Sequence, residues 1–188
     1  RGLMPRTKRR TLQEIETFLR RRAPQQLLRD LECLRIVKEA DIECAAYHHL
    51  RKFIGESRRW RVLARKHVPH TGHYVDILIF KDFSPAVAIE LKWGQTNIGR
   101  KDRHSLNTCL HDLGVHKAYW LSAVASEKKK DRWVKEIVEK GVMHRIIVRL
   151  KLSGAKLAEW KANRKRLRSD MPVGSGRRFR ESDVRVAG

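Results

Sequence analysis

Asp76, Glu90 and Lys92 each interrupt an apolar run in VDILIFKDFSPAVAIELKWG, residues 75–94. Side chains along a strand alternate faces, so Glu90 and Lys92, two apart, point one way while Ile89, Leu91 and Trp93 point the other. If the two runs are antiparallel strands about a turn at DFSP, equidistant pairing sets Asp76 opposite a residue near Glu90 or Lys92. Two carboxylates and an ammonium then converge at one place on a sheet. Two carboxylates at strand ends are hard oxygen ligands for a magnesium ion, which keeps several waters and can also grip a phosphate oxygen. A lysine beside them orients a water, favours its deprotonated form and offsets charge developing on the phosphate. Hydrolysis of a phosphodiester needs little else.

The elements that must position this cluster follow from hydrophobic periodicity. TLQEIETFLR (residues 11–20) spaces Leu12, Ile15, Phe18 and Leu19 as on a helix, with Thr11 and Glu14 in a capping-box pattern. Pro24 can start a second helix with an apolar side of Leu27, Leu28, Leu31, Leu34, Ile36 and Val37. Asp41 reads as the N-cap of a third, IECAAYHHLRKFI, which could be continuous with the second. From Trp60 the period shifts to two, and WRVLARKHVP, HYVDILIFKD and AVAIELKW read as three consecutive antiparallel strands joined by HTG and DFSP turns. RKDRHSLNTCLHDLG has helical spacing and ends at Gly114, HKAYWLSAV reads as a strand, KDRWVKEIVEKG as another Gly-terminated helix and HRIIVRLKL as a last strand. The expected order is helices, β, β, β, α, β, α, β. Residues 1–10 are expected to form a basic, flexible N-terminus, residues 11–153 one α/β domain, and residues 154–188 a basic C-terminal extension. Within it MPVGSGRRFRESDVRVAG has the makings of a flexible basic tail, or the extension could dock as a helix over AKLAEWKANRKRL.

A length of 188 residues suits one domain with a proper core. Forty-three Lys and Arg against 21 Asp and Glu leave a formal charge of +22, costly in self-repulsion unless a polyanion relieves it, so nucleic acid is the leading partner. Cys33, Cys44 and Cys109 are odd in number and hold no C-x-x-C, which argues against a disulfide framework and fits a reducing interior. No stretch approaches the ~18 apolar residues that span a bilayer, and the basic amino terminus has no apolar segment behind it. A soluble, cytoplasmic protein without a membrane partner is the expectation.

Asp76, thirteen intervening residues, then Glu90-Leu91-Lys92, on consecutive strands after a helix, resembles the PD-(D/E)xK nuclease superfamily, which includes restriction endonucleases, Holliday-junction resolvases and many repair and phage nucleases. The resemblance covers roughly residues 41–124 and implies a restriction-endonuclease-like α-β-β-β-α-β core with a mixed central sheet, the order already read from periodicity. It implies Asp76 and Glu90 as metal ligands, the Leu91 carbonyl as an extra ligand and Lys92 as the catalytic lysine. A further glutamate would come from the preceding helix, where Glu43 is the best match and Glu39 the second. The implied cofactor is Mg²⁺, with Mn²⁺ as a substitute. Val75 stands where the family's name has proline, and Gln95 comes too early to be the glutamine that some branches carry after the lysine.

Plainer roles exist for the same residues. Glu90 and Lys92 could be polar positions on a wet sheet face with Asp76 as a cross-strand partner. Against this, Ile77, Leu78, Ile79 and Phe80 are apolar on both faces, where an unpaired carboxylate would be costly. Glu43 in the first turn of a helix is also ordinary dipole complementarity. His67, His70 and His73 invite a zinc reading, but they fall in a hairpin turn without helical i, i+4 pairing, and solvated histidines near a phosphate backbone fit better. Arg100, Lys101 and Arg103 open the helix after Lys92, where amide donors and positive charge meet a phosphate, and Arg58, Arg59 and Arg61 could extend the same groove as backbone contacts. The expected function is metal-dependent hydrolysis of phosphodiester bonds in DNA by an endonuclease, as a homodimer if both strands are cut. The alternative is a catalytically inactive nucleic-acid-binding or docking module on the same fold; a ribosome-like RNA-binding protein would need the acidic cluster to be accidental.

Overall fold

Thr11 opens the first helix as its pattern predicts. In the computed structural model, which describes residues 10–55, 59–68, 72–126, 133–138 and 141–170, Thr11 Oγ1 accepts the Glu14 amide at 3.1 Å and Glu14 Oε2 accepts the Thr11 amide at 2.8 Å. Helix α1 (Leu12–Thr17) passes through a π-helical turn (Phe18–Arg22) into α2 (Ala23–Glu32), which carries Pro24 in its first turn. The second helix stops at Glu32 instead of running on to Val37. Leu34 takes a left-handed φ of 55°, and the Arg35 amide folds back to the Asp30 carbonyl at 2.8 Å, so Ile36 and Val37 are buried in a connection. Helix α3 (Glu39–Ile54) is therefore separate. Asp41, expected as its N-cap, lies in its first turn; its carboxylate reaches back to the amides of Val37 and Lys38 at 2.9 and 3.0 Å and satisfies donors the helix leaves free.

Strands β1 (Trp60–His67), β2 (Tyr74–Lys81) and β3 (Ser84–Trp93) are consecutive and antiparallel, as the period of two requires. The β2–β3 turn is tighter than DFSP. Lys81 pairs with Ser84, leaving only Asp82 and Phe83 in the turn, with φ 48° and 69°, the left-handed pair that a two-residue hairpin needs to match strand twist. Helix α4 (Arg100–His111) then crosses to β4 (Lys117–Ser126), which lies parallel to β3, and β6 (Gly141–Lys151) lies parallel to β4. The fold is α/β, with a mixed six-stranded sheet in the order β1-β2-β3-β4-β6-β5.

The helix expected over KDRWVKEIVEKG is instead a strand at the sheet edge, β5 (Trp133–Val138), antiparallel to β6. WVKEIV is half β-branched and opens on an aromatic residue, a composition that favours a strand once a neighbour offers a free edge. The basic C-terminal extension contains helix α5 (Gly154–Asp170), which covers AKLAEWKANRKRL. Trp160 anchors it, donating from Nε1 to the Leu31 carbonyl at 3.1 Å. The N-terminal segment 1–9 and residues 171–188 lie outside the described residues.

Burial divides the sheet by face. Ile77, Ile79, Val87, Ile89, Leu91, Tyr119 and Leu121 pack in one core with side chains of α1, α2, α3 and α5. Val75, Leu78, Ala88, Trp120 and Ile147 pack on the other face with Leu106, Cys109 and Leu110 of α4. Among the described residues no helix is long and apolar enough to cross a membrane.

Candidate active site where the β2–β3 pairing stops

The β2–β3 ladder holds to Ile77 opposite Ile89 and goes no further. Continuing that register brings Asp76 against Glu90, on the α4-covered face. Asp76 Oδ2 accepts the Leu91 amide at 2.7 Å, so a side chain takes the bond that the ladder would have supplied. A strand residue's N–H and C=O address the same neighbour, so the Leu91 carbonyl also turns to the β2 side.

Both acids are removed from water, with Asp76 8 % and Glu90 5 % exposed. Burial raises the Asp76 pKa to about 6; the Leu91 hydrogen bond opposes this and the charge of Glu43 adds to it. Burial, then repulsion from Asp76, raises Glu90 to about 7. Glu90 Oε2 is buried with no hydrogen-bond partner. Two adjacent acids held above their ordinary range by burial and by each other make this place a functional-site candidate.

Lys92 sits among carboxylates. Its Nζ is 3.0 Å from Glu90 Oε1, 3.3 Å from Glu39 Oε1 and 3.7 Å from Asp102 Oδ1. Burial alone would lower its pKa, but attraction and a hydrogen bond from Glu90, with Asp76 and Asp102 behind them, outweigh burial and hold it above the ordinary lysine value.

Helix α3 delivers two acids one turn apart, because residues four apart share a face. Glu43 lies near enough to raise Asp76 and also pairs with Arg65 Nε at 3.7 Å. Glu39, ranked second in the sequence, is the one in contact with Lys92, and its Oε2 accepts the Trp93 amide at 3.2 Å. Asp102 escaped the sequence reading. It stands between Lys101 and Arg103 in the first turn of α4, where it accepts from Trp120 Nε1 at 3.3 Å while facing Lys92; the acid inside a basic triplet was the available signal.

The basic residues divide into two groups. Arg100, Lys101 and Arg103 flank Asp102 on the same turn and so lie beside the cluster, the first two exposed. Arg59 and Arg61 do not extend that groove: Arg59 pairs with Asp82 at 3.0 Å and Arg61 lies over the Phe83 ring at 4.5 Å. That turn is six residues along β2 from Asp76, roughly 20 Å at the rise of a strand. Arg58 lies outside the described residues.

Trp93, next after Lys92, ties the site to α5. Its ring stacks on Trp160, centroids 6.0 Å apart, and Arg164 lies over it at 4.1 Å. Arg164 Nε also donates to the Val37 carbonyl at 2.7 Å.

The donor set suits a hard divalent cation: two carboxylates, one of which keeps the buried, unpartnered Glu90 Oε2, and a carbonyl on the same side. Among the described residues no group of three His, Cys, Asp or Glu is placed to hold an ion. Magnesium is commonly bound by one or two carboxylates, with water and substrate in its other positions. His67 is exposed and His73 partly so, while His70 lies outside the described residues. No family model matches the chain, and no curated protein matches it.

Proposed function

We propose that the protein is a metal-dependent nuclease that hydrolyses phosphodiester bonds in DNA, on a restriction-endonuclease-like core of α3, β1, β2, β3, α4 and β4. The observation that carries the reading is the buried Asp76–Glu90 pair with Lys92 bonded to one of its members where the β2–β3 ladder stops. The order of those elements is the one that the PD-(D/E)xK resemblance implies. The site also lies at the carboxyl end of β3, beside the parallel strand β4, the end of an α/β sheet where ligands bind.

Asp76 and Glu90 would hold Mg²⁺ or Mn²⁺, with the Leu91 carbonyl as a further donor and Glu43 behind Asp76. The bound ion would polarise a phosphoryl oxygen and supply a nucleophilic water. The protein's own groups do the rest. The Leu91 amide fixes Asp76, which leaves its second oxygen for the ion. Burial and mutual repulsion make the free acids unfavourable as a charged pair, so a cation between them relieves a cost already built in. Glu39 and Asp102 aim the Lys92 ammonium, which stays charged and offsets the negative charge that grows on phosphate as the bond breaks. Arg100, Lys101 and Arg103 would hold the adjoining backbone.

Incubation with linear duplex, four-way-junction and single-stranded DNA in Mg²⁺, in Mn²⁺ and in EDTA tests this. Cleavage in either metal and none in EDTA is expected, and the three substrates report the preferred DNA shape. Tight binding of all three without cleavage would replace the nuclease with a docking module.

A further inference from the structure

Helix α5 is tied to the candidate active site by its inner face and is basic on the rest. Leu157 and Trp160 are buried. Lys156, Lys161, Lys165, Arg166 and Arg168 are all exposed, against Glu159 as the acid among the exposed residues of the helix. Spacings of four and three place Lys161, Lys165 and Arg168 on one flank. Arg164 lies beside that flank, three residues after Lys161 and four before Arg168. Its guanidinium sits over Trp93, the residue after Lys92, and close enough to Arg168 for the two to repel. A line of cations thus starts at Trp93, at the strand end that carries Lys92 but on the opposite face of the sheet, the face from which Glu39 reaches Lys92.

We propose that Lys161, Lys165 and Arg168 form a contact surface for the phosphate backbone of the nucleic acid that enters the Asp76–Glu90–Lys92 site. The inference rests on the nuclease reading and adds the element that holds the substrate. From Lys161 to Arg168 the helix rises roughly 10 Å, about the axial rise of three phosphate-to-phosphate steps along one strand. The anchoring is fixed as well as close. Trp160 donates to the Leu31 carbonyl and Arg164 to the Val37 carbonyl, so the helix is held at both α2 and the connection into α3. A phosphate contact of this kind positions the duplex without reading its bases. A lipid surface is a poorer partner, because Leu167 is the large apolar side chain exposed on α5, and an interfacial helix needs an apolar face to insert.

The test is binding of fluorescent duplex DNA and duplex RNA by the full chain in EDTA, as a function of KCl, for the wild type and for Lys161→Gln/Lys165→Gln/Arg168→Gln. All three side chains are exposed, so the melting midpoint should not change. Loss of three phosphate contacts should lower the slope of log K against log [KCl] by about 2–3 and weaken binding at least about tenfold at 0.1 M salt. Arg59→Gln/Arg61→Gln, at the start of β1 beside the far end of β2, should leave the slope unchanged. A wild-type protein that binds and cleaves, with an unaltered slope in the triple variant, sinks the α5 surface and spares the nuclease. A wild type that neither binds nor cleaves sinks both. Loss of sedimentation with phosphatidylserine-containing vesicles in the triple variant, with DNA binding untouched, would assign the surface to membranes instead.

Discussion

Burying Asp76 beside Glu90 lowers stability at neutral pH, and the effect has a definite sign. Their folded pKa values, about 6 and about 7, lie above the ordinary 3.8 and 4.5, so the native state binds more protons than the unfolded chain. Stability from these groups is therefore lost as pH rises from about 4 to about 7. In EDTA the melting midpoint of the wild type should fall across that window relative to Glu90→Gln, and the variant should melt a few degrees higher at pH 8. Scanning calorimetry of the pair separates the effect of Glu90 from that of other titrating groups; a variant that melts lower at pH 8 would mean that Lys92 already compensates both acids. The same protons compete with a metal. Thermal-shift titrations should show the Mg²⁺ concentration for half-maximal stabilisation rising as pH drops from 8 to 6, because the ion must displace protons that burial has strengthened. At this scale much of the site was legible. Asp76, Glu90 and Lys92 were readable because a charge inside an apolar strand is costly unless it has a role. Asp102 and the contact made by Glu39 were not, because each depends on how a helix end meets the sheet.

The elements differ in how far local sequence decides them. The β2–β3 hairpin and α4 were visible because their periodicity is local and strong, and the two-residue turn escaped only because Asp82 and Phe83 both adopt positive φ without a glycine. The end of α2 was invisible for the same reason, since Leu34 carries the left-handed turn. The 133–138 segment was misread because its apolar spacing also fits a helix, and only its antiparallel pairing with the next strand, β6, decides for a strand. Trp160 looked isolated in a basic segment; its partners, Leu31 and Trp93, lie far away in the chain. Helix α5 is therefore held by few apolar contacts, and Trp160 is the main one. Trp160→Ala should cost about 3–5 kcal/mol in urea unfolding and should also slow cleavage, since Trp93 loses its stacking partner one residue from Lys92. Wild-type activity in a folded Trp160→Ala protein would show that α5 does not position the site.

Across the whole molecule, one sheet carries two kinds of surface. Helices α1, α2, α3 and α5 cover one face and α4 the other, while Glu39 and Glu43 from one side and Asp102 from the other reach the same strand ends. The α/β class was readable from the alternation of periods, whereas the order in which β4, β6 and β5 line up depends on non-local pairing. The charge of +22 gives any polyanion a reason to bind, so affinity alone decides little. The direct test is the single-turnover cleavage rate of a labelled duplex, in Mg²⁺ and in EDTA, for the wild type, Asp76→Asn and Lys92→Ala. Metal-dependent cleavage should fall at least about 100-fold in each variant while DNA affinity stays within a few fold. A wild type that binds the duplex and leaves it intact, or cleavage that persists in both variants, would contradict the assignment of Asp76, Glu90 and Lys92 as a nuclease centre.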